Sequence, residues 1–147
     1  MSNFNPEAFM NSTTTDSNST QYTQVPEGEY NAAIDAVTPR TTQTGKALLS
    51  VKWKVDDEGA RTATGMAEPS VFQTVWLDIK DDGTLDGGAG KNVGLGKLRE
   101  ALGQNQAGKP WAPGMLIGGV AKIRVKHSID KRDNVTINAE VSAVAKL

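Results

Sequence analysis

The sequence predicts an all-β fold, a small five-stranded barrel with one helix. Three observations carry that expectation. Five stretches alternate apolar and polar residues with the period of two that sends successive side chains to opposite faces of a sheet. Only one stretch, residues 93–102, spaces its apolar residues as a helix does. Clusters of Gly, Pro and Asp separate these segments into the order three strands, one helix, two strands. That is the order of a five-stranded Greek-key barrel of the OB-fold type, with its helix between strands 3 and 4. A β-sandwich needs more strands, and an α/β sheet needs helices between most of them.

The 147 residues suffice for one domain with a substantial core. Residues 1–24 stand apart. From Asn11 to Gln24 the chain is nearly all Asn, Ser, Thr and Gln, and it has too little apolar surface to offset its ordering entropy. A flexible polar arm is expected, with Phe4, Phe9 and Met10 available to dock on a neighbouring subunit. Residues 25–147 are expected to form the barrel. Strand 1, residues 29–38, turns Tyr30, Ala32, Ile34 and Ala36 inward and ends at Pro39. Strand 2, residues 47–55, turns Leu49, Val51, Trp53 and Val55 inward and Ser50, Lys52 and Lys54 outward. Residues 56–59 read as a turn, and residues 60–70 carry no assignable pattern. In strand 3, residues 71–80, Val71, Val75, Leu77 and Ile79 share one parity, and Phe72, Thr74, Trp76 and Asp78 the other.

A loop rich in Gly and Asp, residues 81–90, leads to the helix. Asn92 is its expected N-cap, Leu95, Leu98 and Leu102 its apolar stripe, and Gly103 its stop. Trp111, close to Pro110 and Pro113, reads as a packing lid. Strand 4 begins near Gly119, with Ala121, Ile123, Val125 and His127 inward and Lys122, Arg124 and Lys126 outward. Residues 130–133 make a hairpin connection. Strand 5, residues 134–145, is expected to turn Val135, Ile137, Ala139, Val141 and Ala143 inward.

Several chemistries are poorly supplied. There is no cysteine, and His127 is the only histidine, so His-based zinc sites and Ser/His/Asp triads lack their parts. His127 is expected near the barrel rim, partly buried and hydrogen-bonded. Gly103 to Lys109 has the spacing of a phosphate-binding loop, but Pro110 stands where the magnesium-binding hydroxyl belongs, and the segment follows a helix instead of a strand. The aspartates at 81, 82 and 86 lack the alternating ligands and closing Glu of a calcium loop. No acid, base and nucleophile form a constellation, so neither an enzyme nor a cofactor is expected. No apolar run is long enough to span a membrane, and residues 1–5 lack the pattern of a signal peptide, which fits a cytoplasmic protein.

Charge is distributed unevenly. The net charge is −1, yet Lys122, Arg124, Lys126, Lys131 and Arg132 fall within a short stretch against the single acid Asp130. Three cations in register on the outside of a sheet are costly unless something anionic meets them, and a polyanion would. OB barrels bind oligonucleotides across strands 2 and 3, framed by the 1–2 and 4–5 loops. Strand 2 offers Lys52 and Lys54 there, strand 3 offers Phe72 and Trp76, the 1–2 loop region Arg40 and Lys46, and the 4–5 loop Lys131 and Arg132. Cations tracking phosphates and rings stacking on bases are what hold a single strand. With about five phosphates contacted, log K is expected to fall against log salt with a slope near −3 to −4.

The segments Val25–Ile34, Gly45-Lys46 before Leu49–Trp53, Leu98–Gly103, Ile123–His127 and Asn134–Asn138 resemble small bacteriophage OB-fold single-stranded DNA-binding proteins, over residues 20–146. The resemblance implies a protein of phage DNA replication or recombination in the host cytoplasm. Such a protein coats single strands, works as a small oligomer and meets replication or recombination proteins. Many of those proteins end in an acidic tail. Here residues 143–147 carry only Lys146, so recruitment through an acidic tip is not implied. A rival reading is a phage structural or accessory protein that uses its barrel and arm to contact protein.

Overall fold

The alternating segments become a ring of strands. In the computed structural model, which describes residues 3–147, β1 (Gly28–Thr41), β2 (Ala47–Val55), β3 (Ser70–Trp76), β4 (Val120–Ile129) and β5 (Ile137–Ala145) form one mixed sheet. The sheet closes on itself in the order β1-β2-β3-β5-β4, with β4 paired back to β1. Neighbours are antiparallel except β3 and β5, which meet in parallel at Phe72 and Glu140. The fold is therefore mostly β with few helices.

The inside of the ring is the core. Leu49, Val51, Trp53 and Val55 of β2, Val71 and Val75 of β3, and Ala121, Ile123 and Val125 of β4 are all buried, as their parity requires. The Trp53 indole donates to Gln73 Oε1 at 3.0 Å, so its one polar atom is satisfied inside. α3 (Val93–Ala101) adds buried Leu95 and Leu98. A 3₁₀ turn, Pro113–Leu116, adds Leu116. Gly119 admits the close approach of these pieces, because a Cβ there would lie 2.8 Å from Leu102. Tyr30 is half-buried against the core and donates its hydroxyl to the Pro26 carbonyl at 2.7 Å.

Local differences from the sequence-based expectations have physical causes. β1 does not end at Pro39 but runs on to Thr41. Beyond Ile34 it pairs along its length with β2 alone, so it has an open edge where a missing N–H costs no ladder bond. A bulge at Asp35 shifts the register, so that Val37, not Ala36, lies opposite Val51 and packs on the core. A second bulge, opposite the step from Arg124 to Val125, does the same in β5: Val144 packs inward and Ala143 is exposed. Val135 and Ile137, expected inside, are exposed because the β4–β5 hairpin runs past the core. β3 ends at Trp76, and Ile79 bridges to Leu85 within its own loop instead.

The expectation of a single helix is also corrected. α2 (Glu58–Thr64) fills part of the unassigned segment between β2 and β3. Asp57 caps it by accepting from Ala60 N at 2.9 Å, Arg61 pairs with Asp56 and Glu58, and Gly65 ends it in the left-handed region at φ 71°. Its one buried residue is Ala60, so no apolar stripe announces it. In the N-terminal segment α1 (Pro6–Met10) forms one exposed turn capped by Asn5, with the Phe4 and Phe9 rings 5.7 Å apart. Met1 and Ser2 of the expected arm lie outside the described residues. Among the described residues, no helix is long and apolar enough to cross a membrane.

Candidate nucleic-acid interface

Register places the exposed rings. On the outside of β3, Phe72 is 51% exposed and Trp76 55%. Trp76 lies opposite Leu48 of β2, which lies opposite Arg40 of β1. Phe72 lies opposite Lys52, which lies opposite Ala36. Between these rows sit Thr38, Ser50 and Thr74. The rings are four residues apart on one face, ~13 Å along the strand. The wall formed by β1, β2 and β3 therefore presents two aromatic surfaces across a hydroxyl-lined strip.

The β1–β2 loop is built to hold Lys46 at the end of this wall. Thr42 Oγ1 accepts from Lys46 N at 3.0 Å, and Thr42 N donates to Lys46 O at 2.8 Å. Gly45 makes the tight turn at φ 86°, a conformation other residues resist. Between this loop and the end of β3 lies an open groove of about 490 Å³ that includes Lys46, Trp76, Asp78 and Ile79 in its lining. Arg40 and Lys46 make no ion pair among the described residues.

Lys52 and Lys54 are on the same wall but are already engaged. The bulge at Asp35 turns its carboxylate toward both, 3.5 Å from Lys52 Nζ and 3.4 Å from Lys54 Nζ. Lys54 also meets Glu68 at 3.4 Å, and Glu68 with Asp35 raises its ammonium pKa.

The β4 cations point outward as their parity requires, but on a strand that pairs with neither β2 nor β3. β1 separates β4 from β2, and β5 separates it from β3, with Glu140 standing between Lys126 and Phe72. Acids on neighbouring strands meet two of the three β4 charges. Glu29 lies opposite Arg124 and binds it at 2.8 Å. Glu140 lies opposite Lys126. Glu27 accepts the His127 N–H at 2.9 Å, beside Lys126. The Arg124 hydrogen bond holds the Glu29 carboxyl below its ordinary pKa, and the His127 N–H does so for Glu27. The protein thus supplies an ion-pair partner to Arg124 and places an acid opposite Lys126, whereas Lys122 faces Asn31 and Ala145.

The β4–β5 turn stands off the start of β3, at the end of the wall away from the β1–β2 loop. Arg132 is tied to Asp130 at 2.9 Å, whereas Lys131 has no such partner among the described residues. Asp133 accepts the N–H groups of Val135 and Thr136 and the Thr136 hydroxyl, and these bonds lower its pKa to about 2. His127 is hydrogen-bonded through its ring to the Val25 carbonyl at 2.7 Å, although the residue as a whole is exposed. Trp111 lies under the Arg99 guanidinium, 4.3 Å from its ring centroid, and donates to Gln104 Oε1 at 2.9 Å in a half-buried packing position. Asn92 takes the N-cap position without a capping bond, because its side chain is spent on Asp78 and Asp86.

Among the described residues, no group of three or more His, Cys, Asp or Glu side chains is placed to hold a metal ion. Sequence reasoning missed Asp35, Glu29 and Glu140 as the residues that answer the cations. Only pairing across strands brings them together. No protein-family model matches the chain, and no curated protein sequence matches it either.

Proposed function

We propose that this chain is a non-enzymatic single-stranded DNA-binding protein that lays the strand across the outer wall of β1, β2 and β3. The observation that carries the proposal is the exposure of Phe72 and Trp76 on one wall, with Lys46 lining the groove beside Trp76 and Arg40 in the same row beyond Leu48, neither of them in an ion pair among the described residues. Large rings on a sheet exterior cost solvation unless something flat covers them, and a base does so whatever its sequence. Arg40, Lys46 and, in exchange for Asp35, Lys52 neutralise phosphates, while Lys131 and Arg132 approach from the other end. Lys54, held by two acids, contributes little, and Lys122, Arg124 and Lys126 lie off the track.

The ring reads best as an OB-fold barrel. Its strand order 4-1-2-3 is that of a Greek key, and α3 fills the interval between β3 and β4. The resemblance to phage proteins supports a role in phage DNA replication or recombination in the host cytoplasm, as a small oligomer that meets replication or recombination proteins. The rival reading, a protein contact on the same wall, draws on the acids Asp35 and Glu140 beside Lys52 and Phe72.

The test is a tryptophan-fluorescence titration with oligo-dT and with duplex DNA at two salt concentrations. Trp53 is enclosed and Trp111 half-buried, so quenching reports Trp76. Three phosphate contacts give a log–log salt slope of roughly −2. Absence of quenching by oligo-dT would falsify the reading and favour the protein contact, and equal affinity for duplex would overturn the preference for single strands.

A further inference from the structure

The groove beside Trp76 contains a group that a non-specific phosphate track does not need. Asp78 follows Trp76 by two residues, ~7 Å along an extended chain, about the width of a base. Both side chains line the same groove. A carboxylate there repels phosphate, so its placement calls for a different ligand.

Its position is fixed with unusual care. Asp78 N donates to Asn92 Oδ1 at 2.8 Å, and Asp78 O accepts from Asn92 Nδ2 at 2.9 Å. Asp78 Oδ2 accepts from Asn92 N at 2.8 Å. Asn92 makes these bonds from left-handed backbone angles, φ 53°, ψ 38°, a region that Asn occupies more readily than most residues other than glycine. Asp86 N adds a further bond to the Asp78 carbonyl at 3.0 Å. The clamp leaves Asp78 Oδ1 without a partner among the described residues, and no cation pairs with this carboxylate.

We infer that Asp78 reads the edge of the base stacked on Trp76 and selects bases that carry an exocyclic amino group over thymine. An ionised carboxylate only accepts hydrogen bonds, and an amino group such as cytosine N4 donates them. Thymine offers a single N–H flanked by two carbonyl oxygens, which face the carboxylate with like polarity. Lys46, on the other lining of the groove, remains free for the phosphate of the same nucleotide. This inference rests on the single-strand reading above and adds a base preference to it.

Oligo-dC and oligo-dT of equal length, titrated against the full chain in mildly alkaline buffer, test it. The wild type is expected to bind oligo-dC about five- to tenfold tighter, the scale of one directed contact to a base edge. Asp78→Asn keeps an oxygen to accept the Asn92 N–H and adds an amide donor that suits thymine oxygens, so the preference should vanish or reverse. Equal affinity of the wild type for both oligonucleotides overturns the inference and leaves the single-strand reading standing. Failure to bind either one overturns both. If Asp78→Asn folds and keeps the cytosine preference, Asp78 is not the reader. The wild-type comparison alone decides the base preference should the variant not fold.

Discussion

The β1–β2–β3 wall and the β4 wall look alike in sequence and differ in structure. Both come from strands that alternate apolar residues with cations, Lys52 and Lys54 on β2 and Lys122, Arg124 and Lys126 on β4. On β4, Glu29 pairs with Arg124 and Glu140 lies opposite Lys126, while Lys122 faces Asn31 and Ala145. On the other wall the bulged Asp35 engages the two lysines, but Lys46 stays unpaired next to an exposed indole, and Arg40 stays unpaired in the same row beyond Leu48. Surface charge therefore belongs to the sheet, not to the strand. Cross-strand partners decide whether a row of cations is an invitation to a polyanion or one half of a solvated ion-pair ladder.

The largest expected effect separates the two walls by stacking. Trp76→Ala should weaken single-stranded DNA binding by ~1–3 kcal/mol, the range for one stacked base. Trp76 is more than half exposed, so thermal unfolding should move little. Unchanged affinity in a folded variant would remove Trp76 from the site and erase the main distinction between the walls.

A smaller effect compares the cations. Arg40→Ala with Lys46→Ala should make the log–log salt slope shallower by roughly 1.4, about 0.7 for each single-strand phosphate deprived of its cation. The matching change on β4, Lys122→Ala with Arg124→Ala and Lys126→Ala, should leave the slope where it was. If the β4 set alters the slope instead, the strand crosses β4 and the comparison is inverted.

Much of this architecture is legible in the sequence. Period-two alternation places Trp53, Val51 and Ile123 inside and Phe72, Trp76, Lys52 and Lys122 outside, because parity follows from backbone geometry alone. The α3 stripe is equally plain. What stays hidden is register. One inserted residue at Asp35 and another in β5 reverse the parity that follows them, and nothing in the local composition marks either bulge. Pairing between segments ~95 residues apart, such as Glu29 with Arg124, cannot be read from spacing, and it decides which wall carries available charge. α2 escapes because its seven residues are mostly small and bury only Ala60.

The smallest effect tests the Glu29–Arg124 pair itself. Glu29 lies opposite Arg124, whose hydrogen bond and charge pull its carboxyl below the ordinary glutamate value. A carboxyl depressed in the folded state contributes stability that is fully present above its unfolded pKa and is lost as pH falls through the lower, folded one. The pair is exposed, so its contribution is slight and screened by salt. It is best seen as a titration: the Glu29 carboxyl signal in NMR should have its midpoint below that of an exposed glutamate, and Arg124→Ala should bring it back up. A normal midpoint in the wild type would mean that Arg124 is not held by Glu29 in solution. Its charge would then be free for a polyanion, and the β4 wall would regain the role that its sequence first suggested.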